Sequence, residues 1–133
     1  LNSQEGSTPL ENLMNKKIEY RPFYESSLYI GSFDNKTNSC FTEQDLCDCI
    51  SRFQDSYETM IPVRISSTTY LSGADYKEHG WKISVIDYPP INADIDTIND
   101  FMIAMGKVLH EKFNQHKVSV VTPSSTLTIE ERN

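Results

Sequence analysis

One stretch dictates most of what this chain can become. From Trp81 to Val121 it reads as strand, break, helix, strand. Trp81, Ile83 and Val85 alternate with Ser84, Ile86 and Tyr88, the period-two pattern of a strand. Pro89 and Pro90 end it, because neither can donate to a ladder. Ile95, Ile98, Met102, Met105, Leu109 and Phe113 then recur at steps of three and four, with Phe101 and Val108 widening the stripe. That spacing predicts one apolar helix face. Asp94 is the expected N-cap, Lys112, His116 and Lys117 gather at the end that favours cations, and Asn114 suits a left-handed terminator. Val118 to Val121 returns as a strand.

The preceding half follows the same logic. Arg21-Pro22 interrupts an opening strand region, after which Leu28 and Ile30 point one way and Tyr29 and Phe33 the other. Residues 34–39 form a polar turn. Thr42 and Asp45 predict reciprocal capping of a helix whose buried stripe is Leu46, Cys49, Ile50 and Phe53, extended by Tyr57. Val63 to Leu71 is a strand rich in hydroxyls, and residues 76–80 lead into the strand at Trp81. Leu127 to Ile129 can add a short fifth strand.

The order β-α-β-β-α-β predicts an α+β domain of the ferredoxin-like sandwich type: a four-stranded antiparallel sheet with two helices on one face. Tyr29, Phe33, Ile86, Tyr88 and Tyr70 would then sit on the uncovered face. A face so apolar predicts a homodimer, or another homo-oligomer, or a ligand platform.

At 133 residues the chain fits one domain, with residues 1–17 as a flexible leader and 18–133 as a single α+β domain. A net charge of −7 argues against binding a nucleic-acid polymer, which needs clustered basic charge. No apolar run approaches the roughly 20 residues that span a bilayer, so no membrane association is expected. Three cysteines cannot make a full disulfide framework, and the polar opening lacks secretory character, so a cytoplasmic setting is expected.

Leu28-Tyr29-Ile30-Gly31, the helix opening at Phe41-Thr42-Glu43, the strand within Tyr76–Tyr88, and Phe113-Asn114-Gln115-His116-Lys117-Val118-Ser119-Val120 together resemble the small bacterial proteins of the DUF3574 type, over Ser26 to Val121. The resemblance implies a similar opening strand and a similar element before the last strand. It supplies no catalytic residue. The compact size and the Asn, Lys, Ile and Tyr content also fit a phage or mobile-element protein, by analogy.

No residue set announces catalysis. Cys47 and Cys49, two apart on a helix, point about 200° apart and cannot share an ion, and Cys40 has no partner at metal spacing. Asp94, Asp96 and Asp100 are explained by the helix dipole. His110 and His116 read as flanking or capping groups, while His79 is the one histidine in a polar, aromatic setting. The best ligand candidates are Arg21, Tyr24, Arg64, Tyr70, Lys77 and Trp81, since arginine can fork onto phosphate and aromatic rings can stack on a base. The expectation is a non-enzymatic, homo-oligomeric binding module without metal or cofactor. It would sequester a small anionic ligand such as a nucleotide signal, in the manner of a phage counter-defence protein. Two other readings stand beside it: an interaction or inhibitor module presenting acidic surface, and a small enzyme pairing His79 with a carboxylate.

Overall fold

The structure, a computed structural model, describes Lys16, Ile18 and residues 24–86 and 93–131. Apart from Lys16, the leader reading lies outside the described residues, as do Arg21, Tyr88 and the Pro89-Pro90 break. In chain order the elements are β1 (Glu25–Gly31), β2 (Phe33–Asp34), β3 (Ser39–Cys40), α1 (Glu43–Ser56), β4 (Arg64–Leu71), β5 (Lys77–Ile86), α2 (Ile95–Lys112), β6 (Lys117–Val121) and β7 (Thr126–Glu130).

The helices begin and end where local chemistry requires. The Thr42 hydroxyl accepts from the Asp45 amide at 3.1 Å, and the Asp45 carboxylate accepts from the Thr42 amide at 3.0 Å. Asp94 accepts from the Thr97 amide at 2.8 Å. Asn114, just past α2, takes φ 49° and stops the helix in the left-handed region. On α1 the buried residues are Leu46, Cys49 and Ile50; on α2 they include Ile98, Phe101, Met102, Met105 and Leu109. Ile95 and Val108 were expected on that stripe but are exposed, because the contact with the sheet is narrower than the run of apolar residues.

The helices cover one face of the sheet. Leu28, Ile30, Trp81, Ile83, Val85, Val118 and Val120 meet the two helical stripes in one core. Rings of Phe53, Tyr57 and Phe101 cluster there with centroids 5.1–5.5 Å apart. At the other end Phe41 stacks on Phe113 at 3.9 Å.

The expected α+β architecture with two helices is present, with two corrections. The sheet has five strands rather than four, ordered β4-β5-β1-β6-β7 with every neighbour antiparallel, because Thr126–Glu130 pairs along the whole of β6. The expected polar turn at 34–39 narrows to residues 35–38, and its ends pair as a small hairpin of β2 and β3.

A third correction concerns the uncovered face. Register places Arg64, Ser66, Thr68 and Tyr70 of β4 on it, opposite Ser84, Lys82, Gly80 and Glu78 of β5. Glu25, Ser27, Tyr29 and Gly31 follow from β1, and Lys117, Ser119 and Val121 from β6. Among the described residues that face is hydroxyl-rich and charged, with Tyr29 and Tyr70 standing in it. Phe33 lies beyond the sheet in β2. Tyr88 and the Ile86 side chain, expected on the same face, lie outside the described residues.

Candidate functional site

A cavity of about 740 Å³ opens at one end of this polar face, where the β4–β5 hairpin meets the end of β1 and the start of β6. Its floor depends on two glycines. Gly31 of β1 pairs directly with Gly80 of β5. A Cβ on Gly80 would lie 2.3 Å from the Ile30 carbonyl oxygen and 2.5 Å from Cε2 of Tyr70. A Cβ on Gly31 would lie 2.3 Å from Oε2 of Glu78. The bare backbone therefore lets the Tyr70 ring and the Glu78 carboxylate lie flat across the sheet.

Both groups are held there. The Tyr70 hydroxyl donates to the Trp81 carbonyl at 3.1 Å. Burial pushes the phenol up to about 12, so Tyr70 stays protonated as a donor. Oε2 of Glu78 accepts the Phe33 backbone N–H at 3.0 Å. Oε1 accepts the Tyr76 hydroxyl, and this bond raises the Tyr76 phenol above its ordinary value. Tyr29, Phe33, Tyr70 and Tyr76 all line the cavity around this carboxylate. Lys77, His116, Lys117 and the exposed thiol of Cys40 border it as well.

This arrangement suits a particular kind of guest. Aromatic faces attract cations, each contact contributing about 0.5–2 kcal/mol depending on desolvation, and stack on planar bases, each contributing about 1–3 kcal/mol. A carboxylate among them favours an organic cation carrying a flat ring system. Lys117, on the open face, offers a place for an anionic tail.

The sequence-derived candidates divide. Tyr70 and Lys77 both line the cavity, although alternation turns Lys77, like His79, to the other side of β5 from Glu78. Arg64 shares the open face but stands six residues along β4 from Tyr70, roughly 20 Å at strand rise. There it lies 3.7 Å from Glu25, whose stronger partner is Lys82 at 2.9 Å. The Lys82 hydrogen bond holds the Glu25 carboxyl below its usual range, against the opposing effect of burial. Trp81 is 1% exposed on the helix-facing side, its indole N–H donating to Glu43 at 3.0 Å; it is core, not a stacking platform. Tyr24 is buried on that same side with its hydroxyl bonded to Asn99. Arg21 lies outside the described residues. His79 stacks edge-on against Trp81 at 4.9 Å, on the opposite side of the strand from Glu78, so those two groups do not form an acid–base pair.

Glu78 and Tyr76 were missed because residues 76–80 read as a lead-in, whereas β5 already begins at Lys77. The available signal was glycine. Gly80 sits inside β5 and Gly31 closes β1, and glycine in a strand marks close approach of another group.

No protein-family model matches this chain, and no curated protein matches it. Two solved structures share its fold. One is a phage SAM lyase in complex with S-methyl-5′-thioadenosine, with a TM-score of 0.62 over 87% of this chain and 97% of that one, at 16% identity. The other is a phage SAM lyase in its apo state, with a TM-score of 0.61 over 81% and 89%, at 19% identity. At such identities the likeness is one of fold.

Proposed function

We propose that the cavity around Glu78 takes S-adenosylmethionine and that the chain cleaves it, releasing S-methyl-5′-thioadenosine. The observation that carries this reading is a carboxylate framed by aromatic rings, Glu78 among Tyr29, Phe33, Tyr70 and Tyr76. The fold likeness to SAM lyases supports it. This departs from the expectation of a non-enzymatic module, and it replaces a purely anionic ligand by a nucleoside bearing a sulfonium centre.

The chemistry asks little of the protein. When the bond from sulfur to the aminobutyrate γ-carbon breaks, its electron pair returns to sulfur and the leaving group is a neutral thioether. No acid is required. The four-carbon fragment is discharged by closure of its own carboxylate onto the γ-carbon or by loss of a β-proton; only the second needs a base. Closure consumes a positive and a negative charge together, so a site that removes water favours the transition state over the separated ions. In that scheme Glu78 and the rings hold the cation, an interaction present from the ground state onward. Their loss therefore raises KM more than it lowers kcat.

The test is incubation with S-adenosylmethionine and chromatography for S-methyl-5′-thioadenosine. Release that disappears in Glu78→Gln at subsaturating substrate supports the proposal. Substrate persisting unchanged at stoichiometric protein, with no rise in melting temperature, refutes it. Lys77, His116 and Lys117 at the border favour a second reading, sequestration of an anionic nucleotide. That reading expects stabilisation by nucleoside phosphates and none by the sulfonium. We also read β4-β5-β1-β6 with α1 and α2 as a ferredoxin-like sandwich to which β7 is added; the strand order supports this.

A further inference from the structure

We propose that Gln115 is a positioning residue for Glu78, acting through the backbone of Phe33; the proposal rests on the reading of the cavity given above. Gln115 is 9% exposed, yet it is polar and lies just past the end of α2. A buried side-chain amide is retained only where its hydrogens find partners. Its Nε2 donates to the Phe33 carbonyl at 2.8 Å and to the Phe113 carbonyl at 3.1 Å. Phe33 in turn donates its own N–H to Glu78 at 3.0 Å. One residue is thus gripped from the helix end on one side and grips the carboxylate on the other.

The neighbouring contacts make this connection stiff. Asn114 donates through Nδ2 to both carboxylate oxygens of Asp34, at 3.0 and 3.1 Å. Its carbonyl accepts from the Asn35 amide at 3.3 Å and from the Asn35 side chain at 2.9 Å. Asp34 also accepts the Lys36 and Thr37 amides, at 2.9 and 3.0 Å. The β2–β3 hairpin is fastened to the turn at 114–115 by side-chain amides, and Phe33 leads into it. The Phe113–Val118 motif accordingly has a task beyond ending a helix: it sets the place where the Phe33 N–H meets Glu78.

Gln115→Met keeps most of the side-chain volume and removes the donors. In the folded variant, exchange of the Phe33 amide measured by NMR is expected to rise about tenfold. The affinity for S-adenosylmethionine is expected to fall about tenfold, while that for neutral S-methyl-5′-thioadenosine changes less than about twofold. Such a charge-selective loss is what a purely structural role would not give. Unchanged Phe33 exchange, or equal weakening of both ligands, overturns the proposal. If the wild-type chain binds neither ligand, the cavity reading fails, and Phe33 exchange alone still decides the link to Gln115. Should Gln115→Met not fold, titration of the wild-type protein serves instead. The Gln115 side-chain amide signals must then shift in step with the Phe33 amide as S-adenosylmethionine saturates; their remaining fixed overturns the proposal.

Discussion

Replacing each of the two facing glycines by alanine separates stability from binding. At Gly80 the new methyl would sit 2.3 Å from the Ile30 carbonyl oxygen, a backbone atom fixed within the sheet, and 2.5 Å from the Tyr70 ring. Neither can yield cheaply. Overpacking of this kind costs about 1–3 kcal/mol, and displacing the Tyr70 hydroxyl from the Trp81 carbonyl adds about 1 kcal/mol. The smaller backbone entropy of unfolded alanine returns about 0.5 kcal/mol. The net loss is about 1.5–3.5 kcal/mol, set against a total stability on the order of 5–15 kcal/mol. At Gly31 the methyl would meet the Glu78 carboxylate, the far end of a flexible side chain, at 2.3 Å. That carboxylate can swing away, so Gly31→Ala should unfold within about 1 kcal/mol of the parent yet lose its affinity for the sulfonium. Urea unfolding followed by circular dichroism gives the two stabilities, and calorimetry with S-adenosylmethionine gives the affinities. A Gly80→Ala chain as stable as the parent, or a Gly31→Ala chain with full affinity, would refute the picture of a ring and a carboxylate lying over bare backbone.

Other outcomes follow from the same geometry. Burial alone pushes the Asp34 carboxyl up, but the Thr37 and Lys36 amides and Asn114 outweigh it and leave it below the ordinary aspartate value. Its stabilising effect is therefore complete above the unfolded pKa, near 4, and is lost as pH falls through the lowered folded value; urea midpoints at pH 6 and pH 3 should differ less in Asp34→Asn than in the parent. Tyr70 has the opposite sign, since a phenol pushed up to about 12 favours folding fully below pH 10 and ceases to do so as pH climbs from about 10 to about 12. Alkaline unfolding should accordingly be shallower in Tyr70→Phe. Thr42→Ala removes the acceptor for the Asp45 amide and should cost about 1 kcal/mol by urea titration without altering ligand affinity.

Much of the scaffold could be read directly from the residues. Ile98, Met102, Met105 and Leu109 keep helical spacing, and Thr42, Asp94 and Asn114 are local signals whose partners lie within a few positions. The site was less legible because it depends on long-range register. Tyr70 and Glu78 share a cavity only because β4 and β5 pair them directly, and the pocket floor needs Gly31 brought against Gly80. Trp81 and Tyr24 were drawn into the candidate set by their ring chemistry. Alternation had already placed Trp81 with Ile83 and Val85, on the side that the helices cover. The polar character of the open face was visible in Ser66, Thr68, Ser119 and Thr128, but assigning them to one surface required knowing which strands are neighbours.

The distribution of sulfur gives the chain a native reporter. Cys40 is exposed on the wall of the pocket, whereas Cys49 is buried and Cys47 half-buried, with both of the latter thiols pushed up by burial and so poorer in thiolate. A thiol-directed dye should therefore tag the unmodified protein first at the pocket wall. The speed of that tagging would then follow occupancy, guest by guest, with no engineered label.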